Sequence, residues 1–175
     1  SVASNVGFVW GNSYGFAALN ADRKIIDGWG SYCRTGLQAA WKDNFAIRFT
    51  TATHAAFGVI ADDNTFYSWG AGNAGGHMGN ANNYNINGIP NVQTAVGADR
   101  EFALLHTDGT MATVTGRADW TGMYTLLPAS SFSGGTATSL YSNFFSFAAV
   151  DGSGVLHCFG FHVNAHIGKS DCPAD

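Results

Sequence analysis

The sequence predicts an all-β chain of four tandem three-stranded blades, β-propeller-like, forming a small closed ring or an open arc. Three observations carry that prediction. Four segments of the 175 residues repeat the same order of apolar, turn and glycine positions. Glycine is abundant (23) and proline scarce (3), while Phe, Trp and Tyr make up 14%, a composition of short strands joined by tight turns. Helical periodicity is poor throughout, and no stretch carries convincing caps.

The repeats span approximately 3–36, 45–79, 91–122 and 136–168, within one domain covering 1–175. The first reads Asn12-Ser13-Tyr14-Gly15-Phe16-Ala17-Ala18-Leu19, then Asp22, then Ile25-Ile26-Asp27-Gly28-Trp29-Gly30. The second runs from Ala55-Ala56-Phe57-Gly58-Val59-Ile60 through Asp62 to Trp69-Gly70. The third holds Phe102-Ala103-Leu104-Leu105, Asp108-Gly109 and Val114-Thr115-Gly116. The fourth runs Asn143-Phe144-Phe145-Ser146-Phe147-Ala148-Ala149-Val150, then Asp151-Gly152, and finishes at Cys158-Phe159-Gly160. An opening strand, such as Phe45 to Thr50 or Val92 to Val96, should lead into each Phe-Ala-Ala-Leu strand. Asp108-Gly109 and Asp151-Gly152 should supply the positive-φ residues of the following hairpin. The middle strands are apolar throughout instead of alternating, as expected of strands covered on both faces. Their alanines and glycine allow close approach of neighbouring sheets. Blades stacked around an axis meet both demands.

Composition narrows the function. Hydrophobic residues are 46% and charged residues 11%, the reverse of what disorder requires. The net charge is −4 and the eight basic residues are scattered, which argues against a nucleic-acid surface. No apolar run approaches the ~18–20 residues that span a bilayer. The three cysteines, Cys33, Cys158 and Cys172, leave the redox state open: a Cys158–Cys172 disulfide tying down the tail, a bond from Cys33 to either, or three buried thiols.

The pattern Phe-Ala-Ala-Leu, Asp-Gly, Trp-Gly and a following Gly resembles the short repeats of the regulator-of-chromosome-condensation superfamily, in particular the three-stranded blades of the β-lactamase inhibitor protein II-like propellers. The resemblance covers about Val6 to Gly168. It implies a propeller of blades, in a family whose rings usually have about seven and whose repeats are numerous in proteins of marine unicellular algae. Two departures stand out. The family's Trp is replaced in the third and fourth repeats, where Thr115 and Phe159 stand, and the chain supplies four blades. An open arc of four would leave its first and last sheets with an uncovered face, which calls for a partner, a second copy or a capping segment.

Reactive constellations are weak. Gly70-Ala71-Gly72-Asn73-Ala74-Gly75 spells G-x-G-x-x-G after a strand, but a dinucleotide site needs a helix to open there, and an Asn-rich stretch follows. His157, Cys158, His162, His166 and Cys172 are ligand types that zinc favours, yet without a Cys-x-x-Cys knuckle they read as strand and loop residues. Glu101 is the sole glutamate, and Asp22, Asp62, Asp108 and Asp151 read as turn residues, so no carboxylate pair suggests hydrolysis. The chain is therefore expected to be no enzyme, to need no cofactor or metal, and to bind protein as an accessory or peripheral subunit of a larger assembly, a membrane one included. The alternative is a carbohydrate-binding lectin. The candidate binding residues lie on loops after the Trp-Gly positions: Tyr32, Arg34, His77, Met78, Arg117, Trp120, His162 and His166. An extracytoplasmic or organelle-lumen location, the plastid lumen among them, suits the few charges, the plausible disulfide and a start without Met.

Overall fold

A computed structural model of the chain describes residues 4–34, 37, 41–42, 44–76, 88–115, 124–127 and 135–159. It holds four antiparallel sheets in chain order. The first consists of β1 (Val6–Asn12), β2 (Gly15–Asn20) and β3 (Ile25–Gly30). The second is β4 (Ile47–Ala52), β5 (Ala56–Ala61) and β6 (Phe66–Gly70). In the third, β7 (Val92–Gly97), β8 (Glu101–His106) and β9 (Met111–Thr115) are joined by β10 (Tyr124–Leu127), which pairs with β9. The fourth is β11 (Ala137–Ser142), β12 (Phe147–Asp151) and β13 (Leu156–Phe159). The expectation of three strands per blade thus holds for three sheets, and the third carries a fourth strand at its edge.

The register is common to all four. Each opening strand has one irregularity at the same place, between Val6 and Phe8, Ile47 and Phe49, Val92 and Thr94, and Ala137 and Ser139. Each meets its middle strand through a short tip, with Gly11, Ala52, Gly97 and Ser142 opposite Phe16, Phe57, Phe102 and Phe147. The registers correct two sequence alignments. In the third sheet Phe102 faces Val114, as Phe57 faces Trp69, so Val114 and not Thr115 occupies the Trp position. The positive-φ residue of the second hairpin is Arg23, Asn64, Gly109 and Gly154 in turn, so the fourth repeat uses Gly154 where Gly152 was expected. The aspartates likewise do not share one turn position. Asp62 pairs with Arg23 of the preceding blade, Asp108 accepts from the N–H two residues on, and Asp151, at the end of β12, accepts from Ser153 and also from Val155, with His157 in contact.

The motif glycines have a backbone reason. Gly30 and Gly70 close their sheets at φ 108° and 120°, where a β-carbon would run into the Tyr14 and Ala55 carbonyl oxygens.

Each sheet packs on the next: β1 against β4 and β5, β4 and β5 against β7, β7 and β8 against β11. One apolar core runs through the first three sheets and a second lies between the third and fourth. Strand β5 is buried along its whole length, as its unbroken apolar sequence demands. Trp69 shows how a blade grips its predecessor. Its ring stacks on Phe57, meets Trp10 edge-on at 6.0 Å, and its indole N–H donates to the Cys33 carbonyl at 3.0 Å.

The joints also carry a repeated set of backbone hydrogen bonds. At one end of the sheets Ile47, Val92 and Ala137 donate to the carbonyls of Arg23, Asn64 and Gly109 in the preceding blade. At the other end Ser13 donates to His54, His54 to Asp99, and Asp99 to Phe144. Every joint has the same two bonds between equivalent positions.

The series is open at both ends. Phe57, Phe102 and Phe147 are buried, but Phe16 at the same position in the first blade is 59% exposed. Ile25, Phe66 and Met111 are buried, but Leu156 at the same position in the last blade is 47% exposed. The fold is an open arc, not a small closed ring.

Candidate functional site

The tips between first and second strands gather on one rim as Ser13-Tyr14, His54-Ala55, Asp99-Arg100 and Phe144-Phe145. Short polar side chains hold two of these tips. Asn12 Oδ1 accepts from the N–H groups of Tyr14 and Gly15, and Asn143 Oδ1 accepts from those of Phe145 and Ser146. The backbone of these two tips is thereby held in place beneath the exposed rings it carries.

Together they form a continuous row. Tyr32 meets Tyr14 edge-on at 5.7 Å, Tyr14 meets His54 at 4.9 Å, His54 meets Phe144 at 6.4 Å, and Phe144 meets Phe145 at 4.9 Å. His54 Nδ1 lies 3.6 Å from Asp99 Oδ1, and Arg100 reaches the other Asp99 oxygen at 3.3 Å. The rim is aromatic at both ends and charged in the middle. Tyr14, Tyr32, Phe144 and Phe145 are all exposed. Aromatic side chains bring a large contact area with little side-chain entropy to lose.

The sequence-based site is only partly comparable. Tyr32 sits on this rim, in the left-handed region at φ 63°, and extends the aromatic row. Arg34 is engaged within its own blade, where its guanidinium is bidentate to Asp27 and also donates to the Gly28 carbonyl. Burial works against the charge on Asp27, but the Gly28 N–H, Lys42 and Arg34 outweigh it and hold that carboxyl below its usual range. His77, Met78, Arg117, Trp120, His162 and His166 lie outside the described residues. Tyr14, Phe144 and Phe145 stand inside the repeat segments and His54 and Asp99 beside them, but the repeat pattern marks the loops after the third strand as the candidate binding loops instead. The first hairpin tips share that end only because β1, β2 and β3 are antiparallel.

Other chemistry has little to build on. The G-x-G-x-x-G segment folds as a single 3-10 turn, Gly72–Ala74, with no helix N-terminus to hold a phosphate. Among the described residues no group of three or more His, Cys, Asp or Glu could hold a metal ion. His157 is buried and its Nε2 lies 2.7 Å from Asp151 Oδ2. That contact, with Ser153, drives the Asp151 carboxyl far below its ordinary value. Cys33 is a free, buried thiol whose pKa burial pushes up, and Cys158 is disulfide-bonded; Cys172 lies outside the described residues. This removes both the Cys33 cross-link and the all-thiol state. No described helix is long and apolar enough to cross a membrane.

No protein-family model and no curated protein matches the chain. Solved structures do. Human WBSCR16 superposes with a TM-score of 0.65 at 13% identity, over 95% of this chain and 50% of that one. Prp20p of Saccharomyces cerevisiae, described with its binding to Gsp1p and histones, gives 0.59 at 12% identity over 96% of this chain and 48% of its own. The ectodomain of the Arabidopsis thaliana receptor kinase ACR4 gives 0.55 at 13% identity over 93% and 52%. The chain spans about half the length of these proteins. Prp20 is the yeast RCC1, and the fold of this chain is that of an RCC1-like β-propeller covering about half such a length.

Proposed function

We propose that this chain is a non-catalytic protein-binding propeller module, an accessory or peripheral subunit of a larger assembly. The observation that carries the reading is the rim row: exposed aromatics from the first and last blades flank a charged centre built by the second and third. Interfaces favour that composition, with aromatic anchors and a polar remainder that fixes orientation. Prp20p, which shares the fold, is itself described with protein ligands. The finer kinship with β-lactamase inhibitor protein II-like short repeats, and the eight loop residues beginning with Tyr32, belong to this reading as well.

The test is affinity purification from the native source with mass spectrometry, using the wild-type chain and the double variant Tyr14→Ser, Phe145→Ser as baits. Both residues are exposed, so the variant should keep its circular dichroism and melting temperature. We expect a stoichiometric partner on the wild type that the variant loses. Equal retention by both baits would refute the rim as the binding face. Specific binding of a sugar on a glycan array, abolished by the same variant, would replace the reading with a lectin.

A further inference from the structure

The charged centre of the rim has a direction. Asp99 lies between two bases, 3.6 Å from His54 Nδ1 and 3.3 Å from Arg100 Nε, and its side chain is 23% exposed. The bases stand further out, His54 at 31% and Arg100 at 59%. The carboxylate is recessed, and a guanidinium is the outermost charge of the row. Arg100 meets Asp99 through Nε, which leaves its two terminal nitrogens without an acceptor among the described residues. The other described arginines are spent on the fold. Arg23 and Arg34 close bidentate pairs on Asp62 and Asp27, and Arg48 donates to the Val92 and Gln93 carbonyls. The surroundings of Arg100 are apolar. Asp99 N–H donates to the Phe144 carbonyl at 2.8 Å, which sets the exposed Phe144 and Phe145 rings on the adjacent tip, and His54 carries the row on to Tyr14. Arg100 belongs to the third blade, which packs against a blade on either side, so its setting does not depend on what adjoins the outer sheets.

From this we infer that the rim takes an acidic protein segment, in which an Asp or Glu pairs with the open edge of the Arg100 guanidinium and large apolar side chains beside it lie on Phe144, Phe145 and Tyr14. The inference rests on the rim as the binding face and names the chemistry of its partner. A carboxylate matches the guanidinium fork with two parallel hydrogen bonds. A Lys or Arg on the partner would meet the outermost positive charge of the row and be repelled. A nucleic acid is a poor fit as well, because one fork cannot neutralise a run of phosphates on a chain of net charge −4. The flanking rings complete the argument. An ion pair on a wet surface contributes little, but one ringed by apolar contacts is sheltered from the water that weakens it.

A random peptide library displayed on phage, selected against the immobilised full chain, tests it. The selected peptides should carry Asp or Glu next to Phe, Leu or Trp. For the tightest of them, fluorescence anisotropy with Arg100→Glu should show affinity reduced by about 10–100-fold, the scale of a hydrogen bond to a charged group. Arg100 is exposed and its surface ion pair contributes little to stability, so the variant should keep its circular dichroism and melting temperature. Exchanging the peptide's acid for Arg should restore binding to Arg100→Glu, which a defect in folding would not allow. Peptides that are lost with Tyr14→Ser, Phe145→Ser but carry no acid, or that bind Arg100→Glu as well as wild type, overturn the acidic partner and leave the rim reading standing. Peptides that bind the aromatic double variant as well as wild type refute the rim reading, and this inference with it. A library that yields no binder overturns the acidic segment too.

Discussion

Phe57 and Phe16 occupy the same position in adjacent blades, and truncating each to Ala separates burial from residue identity. Phe57 is fully buried between Trp10, 5.9 Å away edge-on, and Trp69, stacked at 5.6 Å. A Phe→Ala change at such a site removes the transfer term and leaves a cavity, together about 3–5 kcal/mol. For a chain of this size that lowers the melting temperature by roughly 6–20 °C, since 1 kcal/mol corresponds to about 2–4 °C. Phe16 keeps only about two-fifths of its surface covered and opens no cavity. Scaling the roughly 1.5–3 kcal/mol for burying a whole side chain gives about 1 kcal/mol. Urea titration of both variants measures the pair directly. If Phe16→Ala costs as much as Phe57→Ala, the first flank is covered and the open-arc reasoning is wrong.

Three further outcomes follow from the same structure. The Asp151 carboxyl is depressed in the fold, so its contribution is complete above the unfolded value of about 3.9 and is lost as pH falls below it. Asp151→Asn should therefore flatten the acid limb of a stability-versus-pH curve, and an unchanged limb would place the acid sensitivity elsewhere. Gly70→Ala should destabilise the second blade by about 1–3 kcal/mol, because φ is 120° and the new methyl would meet Ala55 and Ala56, with chemical denaturation as the check. Thiol titration without reductant should find no reactive cysteine in the native chain and one after unfolding, since Cys33 is buried with a raised pKa and Cys158 is already bonded.

The fold was largely legible because its strands are written in local signals. Phe102-Ala103-Leu104-Leu105 is apolar on both faces, as a strand between two sheets needs to be. The strand β10 was not legible, since Tyr124–Leu127 has no counterpart in the other repeats. Gly154 was missed because Asp151-Gly152 imitates a hairpin tip, whereas the carboxylate is spent on Ser153, Val155 and His157 and the turn falls two residues later. The rim was half legible. Tyr32 is marked by its place after a Trp-Gly pair, but its neighbours Tyr14, His54 and Phe144 come from sequence positions far apart. Only the stacking of blades brings them together.

The spine of bonds running from Ser13 through His54 and Asp99 to Phe144 uses main-chain atoms alone. A hydroxyl, an imidazole, a carboxylate and a phenyl ring stand on those four rungs, and the rungs do not differ. Cohesion between blades is thereby decoupled from the chemistry displayed at their tips. Such a surface can be rewritten at one tip after another while its scaffold stays fixed, and a shared shape can outlast any trace of shared wording, as with neighbours that keep this architecture at 12–13% identity.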